Sequence, residues 1–94
     1  MALYLISYDI NEKTAFEYDG LWAKLKELDA VRILYSEWII NSDIDAARAI
    51  YNHIAPNIQL KDRLLVQEVT RDAVWYNIMI PDGDFENWLS TARG

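Results

Sequence analysis

Few side chains in this 94-residue sequence are placed to do chemistry, and the first is Asp9. It closes the run YLISYDIN (4–11), whose apolar character otherwise suits a protein core. A carboxylate there has two readings. It accepts backbone N–H groups at a strand-to-loop junction, as aspartate does in turns, or it is a ligand for a hard cation that takes oxygen donors and keeps several waters. Ser7 lies two residues back, on the same face of an extended strand. Ser36 is a hydroxyl in the middle of the chain. Each serine either orients a water or a phosphate oxygen, or fills a small polar gap in the core. Neither has a base beside it, so a nucleophilic serine is not expected. Arg32, Arg63 and Arg71 are scattered in sequence but could gather at strand ends, and their guanidinium groups suit bidentate phosphate contacts. Surface pairing with the abundant acids is their other use.

Composition narrows the chemistry further. There is no cysteine, which removes disulfides and thiolate sites, and one histidine, His53, which cannot make a histidine-rich metal centre. His53 falls near the end of a predicted helix, where a cation interacts favourably with the helix dipole, and a surface role is expected. A net charge of −6 with nine basic residues opposes extensive phosphate binding, so nucleic acid would need a local basic patch or a bridging metal. At 52% hydrophobic and 26% charged the chain is globular rather than disordered. The opening MALYLISYDI lacks a basic leader, and no apolar run reaches the roughly 20 residues of a membrane span. A soluble, cytoplasmic protein is expected.

The elements that must position these residues follow from periodicity. Residues 3–9 read as a strand and NEKTAF as a loop. From Glu17 to about Leu28, the residues Leu21, Trp22, Leu25 and Leu28 recur at helical spacing. VRILYSEWII (31–40) is β-branched and aromatic but long for one strand, so a kink or tight hairpin near Tyr35–Ser36 is expected. Ser42 with Asp45 matches a capping pattern for a second helix to about Ile54, with Ile44, Ala47, Ile50, Tyr51 and Ile54 facing inward and Pro56 stopping it. RLLVQEV (63–69) and AVWYNIMI (73–80) read as two more strands. Pro81-Asp82-Gly83 is a turn, and 81–94 forms a tail or short helix in which Trp88 anchors.

This order predicts one α+β domain over residues 1–94, with its core in 3–80. The architecture is a ferredoxin-like β-α-β-β-α-β sandwich with an additional C-terminal strand. Both faces of the predicted sheet are apolar, and two helices cover only one. The second face is therefore expected to pack on an identical protomer, burying about 800 Å² per partner in a stable interface.

The strand ending in YDI (8–10), the later YSEWII (35–40) and DRLLVQEV (62–69) resemble the small CRISPR-associated Cas-two proteins and the related VapD-type ribonucleases. The likeness follows element order across residues 3–69. It implies a ferredoxin-like homodimer completed by the last strand, in which the Asp9 carboxylates of two protomers approach the dimer axis and share Mg²⁺ or Mn²⁺. The implied activity is a metal-dependent endonuclease, acting on RNA or DNA, with Asp9 catalytic and Ser7, Ser36 or Arg32 orienting the substrate. The alternative it implies is a non-catalytic dimer that binds or regulates a partner in a CRISPR or toxin–antitoxin-like system, or a ribonuclease toxin with a cognate inhibitor. One departure stands out. Cas-two proteins follow the Tyr-Asp with several arginines, whereas NEKTAFEYDG here has one lysine and three acids, which places the chain in a divergent branch.

Overall fold

In the computed structural model, which describes residues 2–10, 15–43, 46–58 and 61–92, four strands form one antiparallel sheet. The elements are β1 (Ala2–Asp9), α1 (Ala15–Glu27), β2 (Val31–Leu34), β3 (Glu37–Ser42), α2 (Ala47–Ile54), a 3₁₀ turn (Ala55–Asn57), β4 (Arg63–Val69) and α3 (Asp82–Ser90). The strand order β2-β3-β1-β4, with every neighbouring pair antiparallel, is compatible with a ferredoxin-like arrangement. The long central run does split, into a hairpin whose turn is Tyr35–Ser36.

Strand periodicity divides the sheet's two faces. The even residues of β1 (Tyr4, Ile6 and Tyr8) point with Trp38 and Ile40 towards Leu21 and Leu25 of α1 and Ile50 and Ile54 of α2. The odd residues Leu3 and Leu5 join Ile33, Ile39 and Val69 on the outer face. Helix α1 ends because Asp29 takes a left-handed φ of 58°. Ala30 N–H donates to Leu25 O and Asp29 N–H to Lys26 O, the paired bonds of a Schellman cap.

Three expectations change. Residues 73–80 form no strand. Ala73 and Trp75 turn inward and Val74 and Tyr76 outward, but Asn77 adopts a φ of 55°, and beyond it Ile78 and Ile80 are the inward pair. The left-handed residue shifts the phase of the alternation, so no single strand can keep one face buried. The segment instead crosses the outer face as a strap. Its Met79 N–H donates to Ile33 O of β2 at 2.9 Å.

The second change follows from the first. Phe85, Leu89 and Ala92, in and just after α3, pack with the strap on Leu3, Ile33 and Ile39, so the chain covers much of its own outer face. Trp88 joins that packing, as expected of an anchor. The chain's own C-terminal segment thus covers part of the face on which a sheet-to-sheet dimer was expected. Trp75 secures the cover: its indole donates to Asp82 Oδ1 at 3.0 Å, and its ring lies 4.6 Å from that of Phe85. Arg71 Nε donates to Ala92 O at 2.7 Å, closing the strap's start on the end of the chain's last turn.

The third change is at α2. Ser42 ends β3 instead of capping the helix, which begins at Ala47 with Ala46 as a cap that makes no side-chain hydrogen bond. Tyr51 is exposed, not inward, and Arg48 lies over its ring at 5.2 Å. Ile44, Asp45 and residues 11–14 of the expected loop lie outside the described residues, while Ala15 and Phe16 already belong to α1.

Candidate functional site

The strap and α3 cover the Leu3–Ile39–Val69 part of the outer face and leave the other end of β1 open. That is why a core-like strand ends on a charge. From Ser7 onward the odd residues of β1 face a hollow of about 300 Å³ lined by Ser7, Tyr8, Asp9, Ser36, Glu37, Arg63, Leu64 and Leu65.

Sheet register assembles it. Ser7 stands between Glu37 of β3 and Leu65 of β4, and Asp9 stands opposite Arg63. Directly opposed residues share a face with their β-carbons about 5 Å apart. Arg63 Nη1 meets Asp9 Oδ2 at 3.6 Å, both side chains being exposed. The hairpin turn is pinned to the same spot, because Tyr8 N–H donates to Ser36 O at 3.1 Å. Below the hollow, the buried Tyr8 hydroxyl accepts from Trp22 Nε1 at 3.0 Å and from Trp38 Nε1 at 3.1 Å. Those two bonds lock the strand end to α1 and β3.

Asp9, Ser7 and Ser36 thus meet in one place. Arg32 does not line that hollow. It points to the helix side, its guanidinium between the rings of Trp22 (5.1 Å) and Tyr35 (4.9 Å) and its Nε donating to Tyr35 O at 3.0 Å. Nor do the three arginines gather. Arg63 opens β4 at the hollow and Arg71 follows its far end. His53 takes the surface role expected of it, with Nε2 3.1 Å from Glu27 Oε2, tying α2 to α1. That contact, with help from Lys24, holds the Glu27 carboxyl below the usual glutamate range.

One residue of the site, Glu37, was missed by sequence reading, and Arg63 was read as a phosphate-suited guanidinium without being placed beside Asp9. Glu37 follows the turn and faces Ser7, and Arg63 opens a strand that pairs with β1. The signal for both was the register, since a hairpin at Tyr35–Ser36 puts residue 37 beside the end of the first strand.

The donors are hydroxyls and carboxylates, the oxygen ligands a hard cation takes. Among the described residues no group of three or more His, Cys, Asp or Glu side chains is placed to hold a metal. An ion such as Mg²⁺ keeps most of its waters and uses one or two carboxylates with substrate phosphate; the carboxylates lining the hollow are Asp9 and Glu37. No helix among the described residues is long and apolar enough to cross a membrane. No model of a known protein family matches the chain, and no solved structure gives a significant match.

Proposed function

We propose that the hollow at the end of β1 binds a phosphodiester, and that the protein is a homodimeric, Cas-two-like, metal-dependent endonuclease acting on RNA or DNA. The observation that carries this reading is the meeting of Asp9, Ser7 and Ser36 with Glu37 and Arg63 in one open hollow. Asp9 is the principal ligand of Mg²⁺ or Mn²⁺, with Glu37 or the partner's Asp9 completing the set. Bound there, the ion would supply an activated water and neutralise charge developing on the phosphate. Arg63 offers the phosphate a guanidinium, and the serine hydroxyls orient a phosphate oxygen or the incoming water. Arg32 is left out of this machinery, because it is engaged on the helix side.

The test is cleavage of labelled RNA and DNA in Mg²⁺ or Mn²⁺ by the wild type and by Asp9→Asn. Loss of cleavage in Asp9→Asn with the fold and oligomeric state intact supports the reading. Equal cleavage by both proteins removes Asp9 from the chemistry.

A second reading, a non-catalytic dimeric binding or regulatory module, has its own observation. The strap's outer side leaves Val74 96% and Tyr76 92% exposed, and both line, with Leu34, a groove of about 350 Å³. Contiguous apolar exposure of this kind marks protein contact surfaces. On this reading the strap joins two protomers or takes a protein partner such as a cognate inhibitor, and no metal restores cleavage.

A further inference from the structure

We infer that Tyr35 is a platform on which a base of a single-stranded nucleic acid stacks, while the adjoining phosphate enters the hollow. The inference rests on the reading of that hollow as a phosphodiester site. It arises from a feature the hollow does not use.

Tyr35 sits at the tip of the β2–β3 hairpin and is 84% exposed, although a tyrosine there could fold back on the sheet. It is held in place. Arg32 Nε and Nη2 both donate to Tyr35 O, and the same guanidinium lies over the Tyr35 ring at 4.9 Å. That guanidinium also lies 5.1 Å from the centre of the Trp22 ring, and Trp22 is tied through Nε1 to the buried Tyr8 hydroxyl. Trp22, Arg32 and Tyr35 therefore form a stack anchored in the core and ending in an open aromatic face. An exposed ring backed by a cation is the arrangement on which unpaired bases stack. The next residue, Ser36, lines the hollow, which lies on the sheet face opposite the Arg32 side chain, so a strand stacked on Tyr35 would reach the hollow around the hairpin tip.

The stack also selects the form of the strand. Bases inside a duplex are already stacked on one another and present only edges to the grooves. A single strand offers its π-faces. A chain of net charge −6, with Arg63 the one basic residue lining the hollow among the described residues, makes few phosphate contacts, and stacking is a contribution that does not depend on them.

The test is fluorescence anisotropy of labelled oligoadenylate, as RNA and as DNA, single-stranded and in a blunt duplex of the same length. The full chain is used in EDTA at low ionic strength. Single strands are expected to bind more tightly than the duplex, and the tighter of the RNA and DNA arms names the source. Tyr35→Ala is expected to weaken single-strand binding by roughly tenfold or more. Tyr35→Trp keeps the affinity, and its indole emission is quenched by the strand. Circular dichroism of both variants verifies the fold.

Unchanged affinity in Tyr35→Ala, a duplex bound as tightly as the single strand, or no binding of any strand overturns the inference. Its failure is separable from that of the nuclease reading. Wild-type cleavage in Mn²⁺ with a KM indifferent to Tyr35→Ala removes the platform and keeps the nuclease. Binding that depends on Tyr35 without cleavage in any metal does the reverse.

Discussion

Tyr8→Phe removes one oxygen and leaves two indole N–H groups without their acceptor. Both hydrogen bonds end on that hydroxyl, at 3.0 Å from Trp22 and 3.1 Å from Trp38. The two donors differ in burial. Trp38 is 6% exposed and Tyr8 5%, so water does not readily replace the lost oxygen at Trp38. An orphaned buried donor costs about 1–3 kcal/mol. Trp22 is half-buried and reaches solvent more easily, losing only the net value of its bond, about 1 kcal/mol. Together the substitution should destabilise the protein by about 2–4 kcal/mol. For a chain of 94 residues this lowers Tm by roughly 10 °C or more. Urea unfolding followed by tryptophan emission should show a lower midpoint with an unchanged slope. Tyr35→Phe, at an exposed position, is the control and should stay within about 0.5 kcal/mol of wild type. A Tyr8→Phe protein as stable as that control would refute the reasoning that this hydroxyl locks the strand end below the hollow.

Two further outcomes follow from the helices. Asp29→Gly should stabilise the protein by about 0.5–1 kcal/mol, seen as a raised urea midpoint, because glycine takes the left-handed conformation of the α1 cap without strain. A loss of stability would show that the Asp29 side chain contributes more than its backbone costs. His53→Ala should raise the Glu27 carboxyl pKa towards its ordinary value in an NMR titration, since the His53 contact is the main cause of its depression. A depressed carboxylate favours the folded state above its unfolded pKa and loses that contribution as pH falls through the lower folded value. The variant should therefore lose less stability than wild type across that acidic interval; an unmoved Glu27 titration would refute the coupling.

Much of the fold was legible because burial imposes a period. The alternation of β1 and β4 and the spacing of Leu21 and Leu25 in α1 identify those elements directly. Residues 73–80 misled because apolar, β-branched and aromatic residues satisfy both a strand and a strap that buries alternate side chains. The difference lies in one backbone angle, at Asn77, a residue type tolerant of positive φ. Ser42 and Asp45 resemble a cap in spacing, but β3 extends through Ser42 and takes the first of them. In the site, Asp9, Ser7 and Ser36 were legible as types, while Glu37 and Arg63 needed the sheet register. The Trp22–Arg32–Tyr35 group was not legible, because it draws on separate elements and the sequence has no interleaved aromatic–basic motif.

The most direct test of the central claim asks where a divalent ion goes. Mn²⁺ added in small increments to isotope-labelled protein broadens the NMR signals of the nuclei nearest to it. The amides of Ser7, Asp9, Ser36, Glu37 and Arg63 are expected to broaden first, and Asp9→Asn to abolish the effect. Broadening centred elsewhere, such as on Asp82 and Asp84 of α3, or broadening unaltered in Asp9→Asn, would contradict a metal-assisted phosphodiester site at the end of β1.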